Sequence, residues 1–359
     1  MYHGPGDIRF EDVARPVAGP GELLVAVGTV GICGSDVGEY VHEPHFFPIE
    51  EAHPFSGHQG PTIPGHEFSG TVVAVGDAVE GFESGDLVAS GAGVSCGTCD
   101  QCRKGRTNMC RYYWTVGLHA HGAMAEQVKV PAKCCLNLSD HSITPDVAAL
   151  AQPMAIAVHA SRRGRIAPDD VVLIIGAGGI GSFLTFATAA SGATVTATDI
   201  DPAKLTIASE LGAVATVDAS EGGNLGERLI AETGPPTLVF ECTATPGCLQ
   251  LAVETVADNG RVVVVGHQQE PVAIPFKQVS FGEKELIGTM AQAFAADFAP
   301  AVDLVTRKPE VWEKVAPTVF PIEDFLSAGL IPMAERRATQ IKTLFDPSLD
   351  QPRPIRVHP

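Results

Sequence analysis

A chain of 359 residues is long for a single core and predicts two domains. Its net charge of −18 argues against nucleic acid and anionic membranes as partners, since both are themselves negative. No apolar run approaches the roughly 18 residues that span a bilayer. The start, MYHGPGDIRFEDV, has neither a basic nor an apolar leader segment, so the expected setting is the cytoplasm, with thiols reduced.

To about residue 150 the chain reads as short β runs broken by glycine and proline: ELLVAVGTVG (22–31), SGTVVAVG (69–76) and DLVAS (86–90). This pattern predicts a bent, partly barrel-like β domain. Two of its turns carry reactive residue types. GICGSD places Cys33 directly after a β run with Ser35 beside it, and PGHEFSG supplies adjacent His66 and Glu67. Thiolate, imidazole and carboxylate are ligand types that zinc accepts with one position left open. An isolated cysteine or histidine is more often structural, so the case rests on their company. Between these turns lies an insert holding His42, His45, His53 and His58, whose spacing matches no compact ligand set. Solvated loop residues are the expectation there.

Next comes CGTCDQCRKGRTNMC, with Cys96, Cys99, Cys102 and Cys110 spaced C-x2-C-x2-C-x7-C. In a reducing compartment such a cluster binds metal more often than it forms disulfides. Four thiolates make a closed tetrahedral zinc shell, and an iron–sulfur cluster uses similar spacings. A closed shell has no place for a substrate, so this lobe acts as a staple.

From TPDVAALAQPMAIAVHASRRG (144–164) the period becomes helical, and apolar runs then alternate with helices: VVLII, TVTAT, VATV, TLVFE and RVVVVG. That alternation predicts an α/β region with a parallel sheet covered on both faces. VVLIIGAGGIG ends a strand and opens a helix, giving G-x-G-x-x-G at Gly176, Gly178 and Gly181, with Gly179 and Ile180 in the same turn. The glycines permit a tight turn and close approach to a pyrophosphate at the helix N-terminus. Asp199 closes the next strand, about 20 residues on, where a carboxylate accepts bonds from ribose hydroxyls and repels a 2′-phosphate. Ile200 and Asp201 follow rather than an arginine, which favours NAD over NADP. Lys204 is a further candidate near the ribose, although a lysine in a first helical turn is commonly just solvated. Thr243, Val265 and Gly266, at the ends of later strands, complete the candidate cofactor residues. After about residue 290 the regularity fades, and a helix and tail (323–359) are expected to rejoin the first domain.

Taken in order, GICGSD, GHEFSGTVVAVG, the four-cysteine lobe and VVLIIGAGGIG with Asp199 resemble the zinc-containing medium-chain dehydrogenases over essentially the whole chain. Ser35 in CGSD and the long insert before PGHE are most similar to the sorbitol and butanediol dehydrogenase branch. The resemblance implies a GroES-like catalytic domain over 1–153 and 291–359 and a Rossmann NAD-binding domain over 154–290. It implies a structural zinc on the four cysteines, deciding against iron–sulfur, and a catalytic zinc on Cys33, His66 and Glu67. It implies oxidation of a secondary alcohol (a diol, polyol or hydroxyketone) with NAD, Ser35 taking the hydroxyl proton, and a homodimer or homotetramer. Sugar or threonine-type dehydrogenation, or a redox-silent nucleotide-binding role, are the alternatives.

Two departures stand out. Where relatives carry E-P-L, this chain has AQPM, so Gln152 replaces a carboxylate and is the candidate fourth neighbour of the catalytic zinc, alongside water. Gly38 stands where many relatives have a proton-relay histidine, leaving Glu39, Tyr40, His42 or water. Trp114 and Tyr40 align with pocket-wall positions, and for Trp114 ordinary packing is an equal reading.

Overall fold

The computed structural model describes residues 1–42 and 44–359. They form two units, Met1–Ala155 with Gln292–Pro359, and Ile156–Ala291. In the first unit the run ELLVAVGTVG becomes the long strand β1 (Glu22–Gly31), buried along most of its length. It pairs antiparallel with β2 (Glu67–Val75), which continues to β3 (Leu87–Ser90), and with β4 (Gln127–Pro131). β5 (Cys135–Asn137) closes this side against β3. Leu23, Val25, Phe68, Val88 and Val128 form the shared core, a bent β-rich unit of the GroES-like kind.

In the second unit, the apolar runs form six parallel strands. These are β6 (Val171–Ile175), β7 (Thr194–Asp199), β8 (Ala215–Asp218), β9 (Leu238–Glu241), β10 (Arg261–Val264) and β11 (Glu285–Gly288). Their order is β8-β7-β6-β9-β10-β11, all parallel, which is a doubly wound Rossmann sheet. Strand order reverses between β6 and β9, and in such sheets ligands bind outside the carboxyl ends at that point.

The chain after Gln292 returns to the first unit and adds β12 (Thr318–Pro321), β13 (Leu344–Asp346) and β14 (Arg353–Pro354). β13 pairs with the end of β1, at Leu344↔Gly31. A buried ion network fastens this tail: Arg353 donates to Asp146 at 2.6 and 3.0 Å and to Asp346 at 3.0 Å. Burial pushes the Asp146 carboxyl up, but Arg353, Thr29 and the Arg356 amide outweigh it and hold the group below its usual range.

Of the insert's histidines, His42 and His45 are exposed, as expected, whereas His53 and His58 are half-buried. Glu39 is fully buried, and its carboxylate accepts the amides of His45, Phe46 and Phe47 at 3.0–3.1 Å. Phe47 packs on Tyr2 with ring centroids 4.6 Å apart. His53 and His58 face His119 and His121, each pair with centroids 4.5 Å apart. The ring Nδ1 atoms accept backbone N–H groups: Ser56 N to His53, Thr115 N to His119, and Ile63 N to His121. A ring that accepts at Nδ1 cannot carry a proton there, so it resists becoming a cation. Burial, then the nearby His53 and His45, lower the His119 pKa from 6.5 to about 4. The unfolded chain therefore binds a proton that the folded chain refuses between these values, and stability falls as pH drops through that window. His119→Asn keeps an acceptor for Thr115 N but cannot titrate. Thermal melts of this variant from neutral pH to about 4 are expected to show a shallower acid loss than wild type; parallel curves would contradict the argument.

Candidate active site

Register explains why three distant-in-sequence donors meet. Gly31, the last residue of β1, sits opposite Glu67, the first residue of β2. Cys33 lies two residues beyond that pair on one strand, and His66 directly precedes it on the other. The Cys33 sulfur, a His66 ring nitrogen and a Glu67 carboxylate oxygen consequently lie within 4.8 Å of one another. Helix α1 (Gly34–Val41) starts immediately after Cys33, and Asp36 Oδ2 accepts the Cys33 amide at 2.9 Å, which sets the turn. Asp36 Oδ1 faces His66 Nδ1 at 3.8 Å. Lys342 forms an ion pair with Glu67 Oε2 and donates to the Ile32 carbonyl at 2.7 Å.

Most of the cluster is buried, with Asp36, His66 and Glu67 3, 5 and 1% exposed, while Cys33 is half-buried. Burial, then the negative Glu67, push the Cys33 thiol up, while Lys342 opposes them. Burial also pushes Asp36 up to about 7, against the pull of His66. Ser35 Oγ, Asp36 Oδ1, His66 Nδ1 and Glu67 Oε1 are buried without hydrogen-bond partners. Buried lone pairs left without a partner, such as those of His66 Nδ1 and Glu67 Oε1, are ones a bound cation would satisfy. The donor set fits zinc with a position open.

The second cluster is built from one local segment. Sγ–Sγ distances are 3.9 Å for Cys96–Cys102, 3.5 Å for Cys99–Cys102 and 3.9 Å for Cys99–Cys110. A tetrahedron with zinc–sulfur bonds of about 2.3 Å has edges of about 3.8 Å, so the cage has the right size. Backbone N–H groups of Cys96, Thr98, Cys99 and Tyr112 donate to these sulfurs at 3.3–3.4 Å. Such donors favour thiolate; the Thr98 hydroxyl and amide lead in lowering Cys96 to about 6.

At the carboxyl end of β6, Gly176 has φ +95°, and a side chain on Gly181 would meet the Gly176 carbonyl at 1.8 Å. Glycine is required at both places. Gly178 caps helix α2 (Gly179–Ala190), whose first residues are Gly179 and Ile180, and both Gly178 and Gly179 open onto free space. Asp199 closes β7 and accepts the Ala177 amide at 2.9 Å, tying it to the glycine turn. Lys204 Nζ lies 3.8 Å from Asp199 Oδ1. Thr243 abuts Gly176, and the amides of Val265 and Gly266 donate to the Glu241 carbonyl at 2.8 and 2.9 Å. These candidates thus assemble on one edge of the sheet.

Gln152 is 8% exposed in the first turn of helix Ala151–Arg163. Trp114 packs half-buried on the β core and lines a cleft with Phe82, Val94 and Pro131, a lining that includes none of Cys33, His66 and Glu67. Tyr40 packs on the same core. Glu39 is occupied by the insert amides, which removes it from the relay candidates; His42 is exposed. Sequence reasoning missed Lys342 and Asp36. Asp36 was visible in CGSD; Lys342, hundreds of residues from Glu67, left no local signal.

The pattern described as "Alcohol dehydrogenase GroES-like domain" matches residues 19–140, and "Zinc-binding dehydrogenase" matches residues 179–307. Among known proteins, the chain is 29% identical to (R,R)-butanediol dehydrogenase of Bacillus subtilis, covering 97% of this chain and 99% of that one. It is 30% identical to human sorbitol dehydrogenase, covering 91 and 90%, and 32% identical to D-xylulose reductase of Scheffersomyces stipitis, covering 88 and 87%. The crystal structure of 2R,3R-butanediol dehydrogenase from Bacillus subtilis superposes with a TM-score of 0.87 at 28% identity, covering 97 and 98%. An alcohol dehydrogenase from Escherichia coli with NADH and a zinc-binding dehydrogenase from Sinorhizobium meliloti with NADP each give 0.84, at 26 and 29% identity, covering 96 and 97%. The chain belongs to the zinc-containing medium-chain dehydrogenase family, in its sorbitol and butanediol dehydrogenase-like branch.

A side chain at position 31 would stand 2.6 Å from Glu67 Oε2 and 3.1 Å from Lys342 Cε, so Gly31→Ala displaces the carboxylate. Metal analysis of this variant is expected to show loss of the Cys33–His66–Glu67 metal and retention of the four-cysteine metal, with activity down about 10- to 100-fold. Full occupancy of both sites would refute the positional argument.

Proposed function

We propose that the chain is an NAD-dependent zinc dehydrogenase of secondary alcohols, with vicinal diols and polyols as its substrate class. The observation that carries this reading is the convergence of Cys33, His66 and Glu67 donors within 4.8 Å in a largely buried turn beside Ser35. A zinc ion bound by these residues supplies a Lewis acid that lowers the pKa of an alcohol hydroxyl, and the nicotinamide is the hydride acceptor. Ser35 Oγ, buried and without a partner, takes the hydroxyl proton. With Gly38 giving no relay, Tyr40, His42 or water carries that proton outward. One thiolate and one carboxylate would match the ion's two positive charges, with Gln152, through its neutral carbonyl, or water as the further neighbour. Cys96, Cys99, Cys102 and Cys110 hold the structural zinc.

Asp199, followed by Ile200 and Asp201, supports NAD rather than NADP, because a 2′-phosphate there meets negative charge. Relatives named for butanediol, sorbitol and xylulose support the substrate class. The intact set of Cys33, Ser35, His66 and Glu67 favours catalysis over a redox-silent role. We place the protein in the cytoplasm as a homodimer or homotetramer. Among the described residues no helix is long and apolar enough to cross a membrane. Strand β11 ends the six-stranded sheet, and Leu286 on it is 37% exposed, with Phe276 and Phe281 at 64 and 81% nearby in sequence. An apolar free edge of this kind supports pairing with a second copy.

Purified protein is expected to carry about two zinc ions per chain and to produce NADH absorbance with 2,3-butanediol or sorbitol in excess of glucose and threonine. Silence across a broad alcohol panel would sink the enzymatic reading. The neutral Gln152 is also expected to hold the catalytic zinc less firmly than a carboxylate. Gln152→Glu should retain zinc roughly 10-fold longer against EDTA, and equal retention would remove Gln152 from the ligand shell.

A further inference from the structure

Glu241 ends β9 with its side chain completely buried. Its carboxylate accepts Thr243 N at 2.6 Å, Thr243 Oγ1 at 2.5 Å and Ala244 N at 3.1 Å, all from the loop after β9. The second oxygen accepts Gln268 Nε2 at 2.9 Å, from the loop after β10. One carboxylate therefore ties together two loops at the carboxyl edge of the sheet. They are packed as tightly as backbone allows: a side chain on Gly266 would meet Ala244 N at 2.3 Å and Glu241 Oε2 at 2.9 Å. Ala244 is held in the left-handed region at φ +58°, a strained conformation for a residue with a Cβ, and its amide is one of those Glu241 binds. Gln268 Oε1 is buried and has no hydrogen-bond partner among the described residues.

Position assigns a role. A dinucleotide lies across the crevice with one mononucleotide on each half of a doubly wound sheet. Asp199 on β7 marks the adenosine half, and the glycine turn after β6 the pyrophosphate. The loops after β9 and β10 are therefore on the nicotinamide half. We infer that Glu241 is the positioning residue of that half: it locks the Thr243–Ala244 turn and orients the Gln268 amide so that Oε1 is left to accept an N–H of the nicotinamide carboxamide. Glu241 acts through Thr243 and Gln268 and does not itself touch the reacting atoms. With its NH2 committed to Glu241, the Gln268 amide cannot flip, which fixes an acceptor rather than a donor toward the ligand.

The inference rests on the reading of this edge as an NAD site, and the test separates the two. Dissociation constants for NADH and for ADP-ribose are measured by calorimetry on the zinc-loaded full chain, in wild type, Glu241→Gln and Gln268→Ala. Both variants are expected to weaken NADH by about 10-fold, the scale of one buried hydrogen bond, and to leave ADP-ribose unchanged. Should Glu241→Gln fail to fold, Gln268→Ala alone carries the comparison. Unchanged NADH affinity in folded variants, or equal weakening of both ligands, would overturn the positioning role while leaving the NAD site intact. Failure of wild type to bind NADH would remove the site and the inference together.

Discussion

Negative donors kept from water organise the first unit. The Glu67 and Asp36 carboxyl groups are buried beside the half-buried Cys33 thiol, and Lys342 is the cation that meets Glu67. Isolated charge in such surroundings is costly, so the arrangement persists only if positive charge is close by. Much of the local architecture serves that end. β1 and β2 must pair in the register that sets Gly31 against Glu67, since a slip of one residue would turn Glu67 to the other face. β13 must join β1 so that Lys342, just before it, arrives at the same place.

The four-cysteine lobe answers a different need. All four sulfurs come from one short stretch, and backbone amides of the same stretch hold them at spacings a tetrahedral ion would impose. Nothing remote is required to shape it. With every corner taken by sulfur it offers no reactive position, in contrast to the Cys33 turn, whose three donors leave one free.

Carboxylates closing parallel strands are the recurring device of the second unit. Asp199 at the end of β7 reaches back to the Ala177 amide and braces the glycine turn. Glu241 at the end of β9 binds four donors from two loops. Strand termini in a doubly wound sheet expose backbone that cannot continue the ladder, and a buried carboxylate satisfies several such amides at once. Rigid edges of this type suit a ligand that is recognised largely through backbone and amide groups.

Local chemistry was legible in the residues themselves. Apolar runs of period two, the switch to βα alternation, the glycine turn and the tight cysteine spacing depend on neighbours along the chain, and the parallel sheet and bent β unit followed from them. The solvated reading holds for the exposed His42 and His45 but not for His53 and His58, which find their partners, His119 and His121, beyond the cysteine lobe. Glu39 was a relay candidate in CGSDVGEY, yet the fold brings the insert's amides onto it. Sequence alone determined which residue types could bind metal and dinucleotide, because those signals are set by short-range spacing. Only tertiary structure decided which distant groups meet, such as Lys342 with Glu67 and Gln268 with Glu241, because strand register and loop packing, not chain proximity, bring those charges and amides together.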